Sequence, residues 1–349
     1  MNKAPALLAL AAICGCGHPA QAPRQNRPAA SPKAAPKPAE SEASAHTAVE
    51  IHSVILIDGP IALRVRWLRG RMRPAKEGGI ISFDDKSSFV IDVDAGAMGV
   101  AVDDVTKLMN QSVFAYPGAP LRNIKISAQG SQLQVQGTLR KGIDIPVEIV
   151  GDIGVTPDSR IRLHATKVHA LHLPVKGLLG AFGVKLEDMI DTKRTKGISI
   201  DKDDVIIDPT AILPPPHTHG RLTDAHVHGS DLVILYGNGR QEVAATRPRK
   251  NYISFQGGTV QFAKLTMRDA DLVMMDSGTN DWFYFLLDRY QEQLVQGYSK
   301  VTPEFGFIMY MPDYKPGQAL PHGRASVTPP TNRTPHDRAA VTPRGNRAH

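Results

Sequence analysis

Cysteine is almost missing from this chain. Two occur in 349 residues, Cys14 and Cys16, and both lie in the leader-like start. The rest of the chain therefore has no disulfide framework and no cysteine metal site. Strings that carry common chemistries are missing too. There is no G-x-S-x-G, no P-loop, no strand-linked G-x-G-x-x-G and no H-E-x-x-H. That removes the usual serine-hydrolase, nucleotide-binding and zinc-protease readings. The apolar run from Ala4 to Ile13 falls short of the roughly 20 residues that a membrane-spanning helix needs.

What the ends do contain is specific. "MNKAPALLALAAICGCG" places Lys3 before the apolar run, the shape of a secretory signal peptide. Ile13-Cys14-Gly15-Cys16 resembles the bacterial lipobox. Cys16 fits it better than Cys14, because Gly15 precedes it. The resemblance implies diacylation of Cys16 and a lipid-anchored, periplasm-facing envelope protein. Gly17 in place of aspartate favours the outer membrane. Residues 17–48 are Pro, Ala, Ser and Lys with almost no apolar bulk, so they are expected to remain an unordered tether. Residues 317–349 read as an unordered basic tail, in which Arg324, Arg333, Arg338, Arg344 and Arg347 face a single acid, Asp337. The formal charge of +7 is thus partly a property of the tails, and an exported chain is not expected to meet nucleic acid.

The middle alternates apolar and polar residues. "VEIHSVILID" and "IALRVRWLRGRM" flank Gly59-Pro60 as two strands around a turn. In "DDVTKLMNQSVF" the period becomes helical, with Asp103 or Asp104 placed to cap the start. Four alternating segments follow, from Leu121 to Leu173, and read as an antiparallel meander with one greasy face. "PVKGLLGAFGVKLEDMI" reads as a second helix and "GISIDKDDVIIDP" as a hairpin. This order resembles the tubular lipid-binding (TULIP) superfamily, in particular its bacterial phospholipid-binding lipoproteins. The resemblance covers residues 80–215 and implies an α+β fold. A strongly twisted antiparallel sheet would wrap one or two long helices over residues 49–220, and a β-hairpin and helix extension, residues 221–316, would pack on the same body. It further implies an apolar groove for acyl chains, lined by Leu108, Met109, Leu178, Leu179, Phe182 and Leu186. Arg247, Arg249 and Lys250, in the charged loop after Gly237-Asn238-Gly239, are the expected contacts for a phospholipid or similar headgroup.

Two strings tempt an enzymatic reading. Asp224-Ala225-His226-Val227-His228 matches the D-x-H-x-H of metal-dependent amidohydrolases. That motif needs a barrel of roughly 250 residues, and the chain after it is too short. Alternation puts Leu222, Asp224, His226 and His228 on one face and Ala225 and Val227 on the other, as in a half-exposed strand. No metal or other cofactor is expected. Were a metal bound, His217, His219, His226 and His228 would be the candidate ligands. Asp276-Ser277-Gly278-Thr279 resembles an aspartic-protease turn, but that chemistry needs two aspartates sharing a proton. Here the turn is expected to lead straight into a helix over "DWFYFLLDRYQEQLVQG". Its face, including Phe283 and Leu287, either packs in a core or lines the groove. The sequence therefore points to a non-enzymatic envelope lipoprotein that holds or shuttles an amphiphile. An envelope scaffold with a filled core is the alternative, and a hydrolase built on the histidines is a third and weaker one.

Overall fold

The computed structural model describes residues 46–141, 143–170, 186–246, 251–278, 281–304 and 306–314. Cys16, Leu178, Leu179, Phe182, Arg247, Arg249 and Lys250 lie outside them, as do the tether, the tail and most of the second expected helix.

In chain order the strands and helices are β1 (Thr47–Asp58), β2 (Ile61–Pro74), β3 (Ile81–Ser82), β4 (Phe89–Ala101), α1 (Val102–Leu108), β5 (Leu121–Gln129), β6 (Gln132–Lys141), β7 (Ile143–Val155) and β8 (Ile161–Ala170). There follow α2 (Leu186–Met189), β9 (Ile198–Asp201), β10 (Asp204–Ile207), α3 (Pro209–Ile212), β11 (His217–Gly220), β12 (Leu222–His228) and β13 (Asp231–Tyr236). The last are β14 (Tyr252–Gln256), β15 (Thr259–Phe262), β16 (Leu265–Arg268), β17 (Asp271–Asp276), β18 (Phe283–Leu286), α4 (Tyr290–Val295), β19 (Tyr298–Val301) and β20 (Phe307–Met311).

Of the described residues 57% are strand and 11% helix, and the longest helical run, α1 with the wider turn that continues it to Val113, has 12 residues. The expected α+β fold with long helices is therefore corrected to a mainly-β one. A mixed sheet of eleven strands runs β12-β13-β4-β2-β1-β14-β17-β20-β19, with β11 added to β4 and β18 to β1. Six strands form an antiparallel sheet in the order β5-β6-β7-β8-β10-β9, and three short ones a third sheet, β16-β15-β3. The expected meander is the first four strands of the six-stranded sheet. Strands from both sides of residue 220 share the eleven-stranded sheet.

The helix expected from Asp281 to Gly297 is a second correction. It divides into strand β18 and the short α4. Trp282 to Leu287 are apolar without interruption, so periods of 2 and 3.6 fit equally well. The tertiary environment decides. Phe283 and Phe285 enter one core cluster while Trp282, Tyr284 and Leu286 enter another, so both strand faces are buried. Bulky aromatic residues also favour the pleated conformation.

Two cores result. One packs aromatic rings: Phe83 stacks on Phe262 at 4.0 Å between centroids and meets Phe255 edge-on at 5.1 Å, while Tyr290 meets Phe262 at 5.6 Å. The other is almost wholly aliphatic and lies between α1, the six-stranded sheet and the nearby end of the eleven-stranded one.

Candidate functional site: an aliphatic cavity under helix α1

Helix α1 closes one side of the aliphatic core. Its start is fixed by Val102 N donating to Ser230 O at 3.0 Å. Ala101 is the N-cap and supplies no side-chain hydrogen bond, so the expected aspartate cap is absent. Asp104 acts elsewhere: its Oδ2 accepts from Ala62 N of β2 at 3.0 Å, and its Oδ1 from Lys107 Nζ at 2.7 Å. The carboxylate thereby ties the helix to the large sheet.

The other side of α1 faces the edge of β5. Ile126 N donates to Thr106 Oγ1 at 2.9 Å. One turn on, Asn110 Nδ2 donates to Ile124 O at 2.7 Å and Asn110 Oδ1 accepts from Ile124 N at 2.9 Å. Two side chains spaced i, i+4 on the helix thus meet backbone groups spaced i, i+2 on the strand. They occupy an edge that would otherwise offer unpaired donors and acceptors. The helix then widens into a π-turn over Met109–Val113, closed by Phe114 N donating to Met109 O at 2.9 Å. Such turns are frequent at functional sites.

Below α1 lies a cavity of about 190 Å³. Ile124 and Ile126 of β5, Leu133 and Val135 of β6, and Ile149 and Ile153 of β7 form its floor. Leu108, Met109 and Phe114 cover it, while Ile61, Leu63, Leu232 and Ile234 reach in from the large sheet. Among the described residues Asp104 and Thr192 are the only polar ones in its lining, and both Asp104 oxygens are already bonded. An apolar cavity of about 150 Å³ stays dry and takes up benzene. This one is larger and equally suited to hydrocarbon.

The sequence-derived groove residues separate here. Leu108 and Met109 line the cavity. Leu186 is fully buried in the same cluster without being part of the lining. Phe283 belongs to the aromatic core and Leu287 packs against it, so neither faces the cavity. Sequence reasoning missed the residues of β9, β10 and α3 that complete the wall, Ile198, Ile200, Val205, Ile207 and Ile212. Their alternation was visible, but not which sheet they would join.

The histidines do not converge. His217 and His219 sit on β11 beside Val90 and Asp92 of β4, whereas His226 and His228 sit on β12, one strand beyond β13. His219 Nδ1 lies 3.6 Å from Asp92, and His226 Nδ1 lies 3.5 Å from Asp224. Among the described residues no group of three or more His, Cys, Asp or Glu could hold a metal ion. A bulge between Leu222 and Asp224 corrects the expected faces. It turns Leu222 to the buried side with Ala225 and Val227, leaving Asp224 and His226 half-buried and His228 exposed. Asp276 is fully buried, accepting from Asn251 Nδ2 at 3.0 Å and Gly278 N at 2.6 Å. Its carboxylate braces the turn after β17, and that turn leads to β18 in place of the expected helix.

One polar cluster is buried on the large sheet. Glu50 accepts from the Tyr252 hydroxyl and from Thr246, and its Oε2 lies 3.4 Å from Arg69 Nε. Burial pushes the Glu50 carboxyl up, yet these hydrogen bonds and Arg69 hold it below the usual range. His52 is 3% exposed. Its Nε2 lies 3.2 Å from Glu50 Oε1 without the alignment of a hydrogen bond. Burial lowers its pKa against the opposing pull of Glu50 and Glu242.

No family model, no curated protein and no solved structure matches the chain, so the site is read from its own geometry.

Proposed function

We propose that the protein is a non-enzymatic holder or carrier of an amphiphile, whose hydrocarbon tail enters the cavity under α1. The observation that carries this reading is a cavity of about 190 Å³ with an almost wholly aliphatic lining. In a close-packed interior such a space is costly to leave empty. By proportion with benzene in about 150 Å³, it takes about eight carbon atoms. At about 0.8 kcal/mol per methylene these contribute roughly 6 kcal/mol, which caps the tail's affinity at the order of tens of micromolar before the cost of association. That suits reversible holding better than permanent storage, and it corresponds to part of one acyl chain. The likeness to TULIP lipoproteins in sequence texture supports the same ligand class. The lipobox supports a place at the bacterial envelope, anchored through Cys16.

The test is native mass spectrometry of the full chain purified from a bacterial envelope. Extra mass that fragments to a fatty acid or lipid supports the reading. A bare protein mass, unchanged after incubation with fatty acid, contradicts it and leaves a scaffold with a spare void.

A further inference from the structure

Among the described residues the cavity lining offers a headgroup little to bond, since Asp104 is already satisfied and the rest is hydrocarbon apart from Thr192. A charged head buried there would lose its hydration without compensation. It must therefore stay at the rim while the tail goes in. The rim segments differ in charge. Next to Leu108, Lys107 is paired with Asp104. Next to Leu121, Arg122 is paired with Asp144 at 3.0 Å. Next to Leu232, Asp231 is paired with Arg64 at 2.7 Å.

The segment from Ile190 to Ile198 is different. Ile190, Thr192 and Ile198 line the cavity, and between them stand Lys193, Arg194 and Lys196, all exposed, against a single acid, Asp191, whose Oδ1 accepts from Lys193 N at 3.0 Å. Among the described residues no carboxylate lies within the 4.0 Å of an ion pair of any of the three. The loop is nonetheless held in place. Thr195 is buried and its Oγ1 is 2.7 Å from the Tyr116 hydroxyl, whose ring also lies 6.0 Å from the Arg194 guanidinium. Thr195 N donates to Thr192 O at 2.8 Å. Gly197 has a φ of +73°, and a Cβ there would stand 2.6 Å from Ile212 Cγ2. Glycine thus lets the loop lie directly against α3, which forms part of the wall.

Resting on the cavity reading above, we infer that the ligand is an anionic, single-chain amphiphile. Its carboxylate or phosphate head lies against Lys193, Arg194 and Lys196, and its tail lies in the cavity. One chain follows from the volume, and the sign of the head follows from three exposed cations against one acid on a pinned loop beside the cavity lining. This moves the headgroup contact from the sequence-expected Arg247, Arg249 and Lys250 to the loop beside Ile190.

Isothermal titration of the full chain at low salt tests this with octanoate, octyl phosphate, octanol and octyltrimethylammonium. Octanoate or octyl phosphate should bind best, the stronger of the two identifying the head, and octyltrimethylammonium worst. The K193A/R194A/K196A variant should lose about tenfold in affinity for the anions and none for octanol, whose retained binding shows that the variant is folded. In a series of fatty acids, affinity should rise about fourfold per methylene and level off near eight carbons. Anion binding unchanged in the variant, or octanol weakened as much as octanoate, overturns the headgroup assignment. Affinity that climbs steadily through long chains overturns the size limit. Failure of octanoate and octanol alike to bind the unaltered protein defeats the cavity reading itself.

Discussion

The two cores of this molecule use different materials. One is built on rings, with Phe83, Phe89, Phe255, Phe262, Phe283, Phe285 and Tyr290 all buried. The other is built mainly on Ile, Leu and Val, with Phe114 the only aromatic residue packed against it among the described residues. The ring core has rings stacked or edge-on at 4.0 to 6.1 Å, contacts that fill space and fix geometry. The aliphatic one surrounds a void. Short branched side chains projecting from a sheet and a helix leave a gap between them that no large side chain among the described residues crosses. Within one chain, the filled core is the frame and the hollow one is the place where something else can be buried.

Large-to-small changes should separate the two most sharply. Phe262→Ala should destabilise by about 3–5 kcal/mol, whereas Leu133→Ala, whose side chain borders empty space and makes fewer contacts, should fall at the low end of the leucine range, about 2 kcal/mol. Guanidinium unfolding midpoints check both, and equal losses would erase the distinction. Asn110→Ala should come next, at about 1–3 kcal/mol, because it strands the buried N–H and C=O of Ile124. Amide exchange at Ile124 should accelerate in that variant, and unchanged exchange would show that α1 does not guard the edge of β5.

Small-to-large changes should run the other way. Val65→Leu, at a fully buried site in the ring core, should cost about 1–3 kcal/mol through overpacking. Val105→Leu points into the cavity and should be neutral or stabilise by up to about 1 kcal/mol. It should also weaken binding of a hydrocarbon tail. Thermal unfolding with and without octanoate reads both effects.

Acid should act on the large sheet. The folded-state pKa of His52 is lowered, so the contribution of its neutral form is complete above its ordinary value of 6.5 and is lost as pH falls through the lower folded value. The carboxyl of Glu50 is also lowered, so its contribution is complete above 4.5 and is lost on further acidification. Both changes destabilise in the same direction. His52→Gln should flatten the first decline, and an unaltered pH profile in that variant would remove His52 from the account. The smallest effect is expected at Arg71, whose pair with Asp94 is more than half exposed on both sides. Arg71→Ala should stay within about 0.5 kcal/mol.

Much of the hollow half was legible from alternation. The meander and the β9–β10 hairpin follow from polar and apolar residues changing places along the chain and from Gly at the turns. Leu108 and Met109 were recognisable as inward-facing by helical spacing. The long-helix expectation failed where the pattern carries two periods at once, as in Trp282 to Leu287, because only the neighbouring sheets choose between them. The bulge at Thr223 was equally hidden: one extra residue reverses a face, and nothing in Leu222–His228 marks its position. The cations Lys193, Arg194 and Lys196 lie in a segment with no periodicity of its own, and only the structure places it between Ile190 and Ile198 of the cavity lining.

The most direct test of a hollow, ligand-taking half is methyl NMR of the full chain with labelled isoleucines, titrated with octanoate. The account expects the methyl signals of Ile124, Ile126 and Ile149 to shift and saturate together, while those of Ile51 and Ile253 in the ring core remain in place. Shifts of equal size in both cores, or none in either, would contradict it.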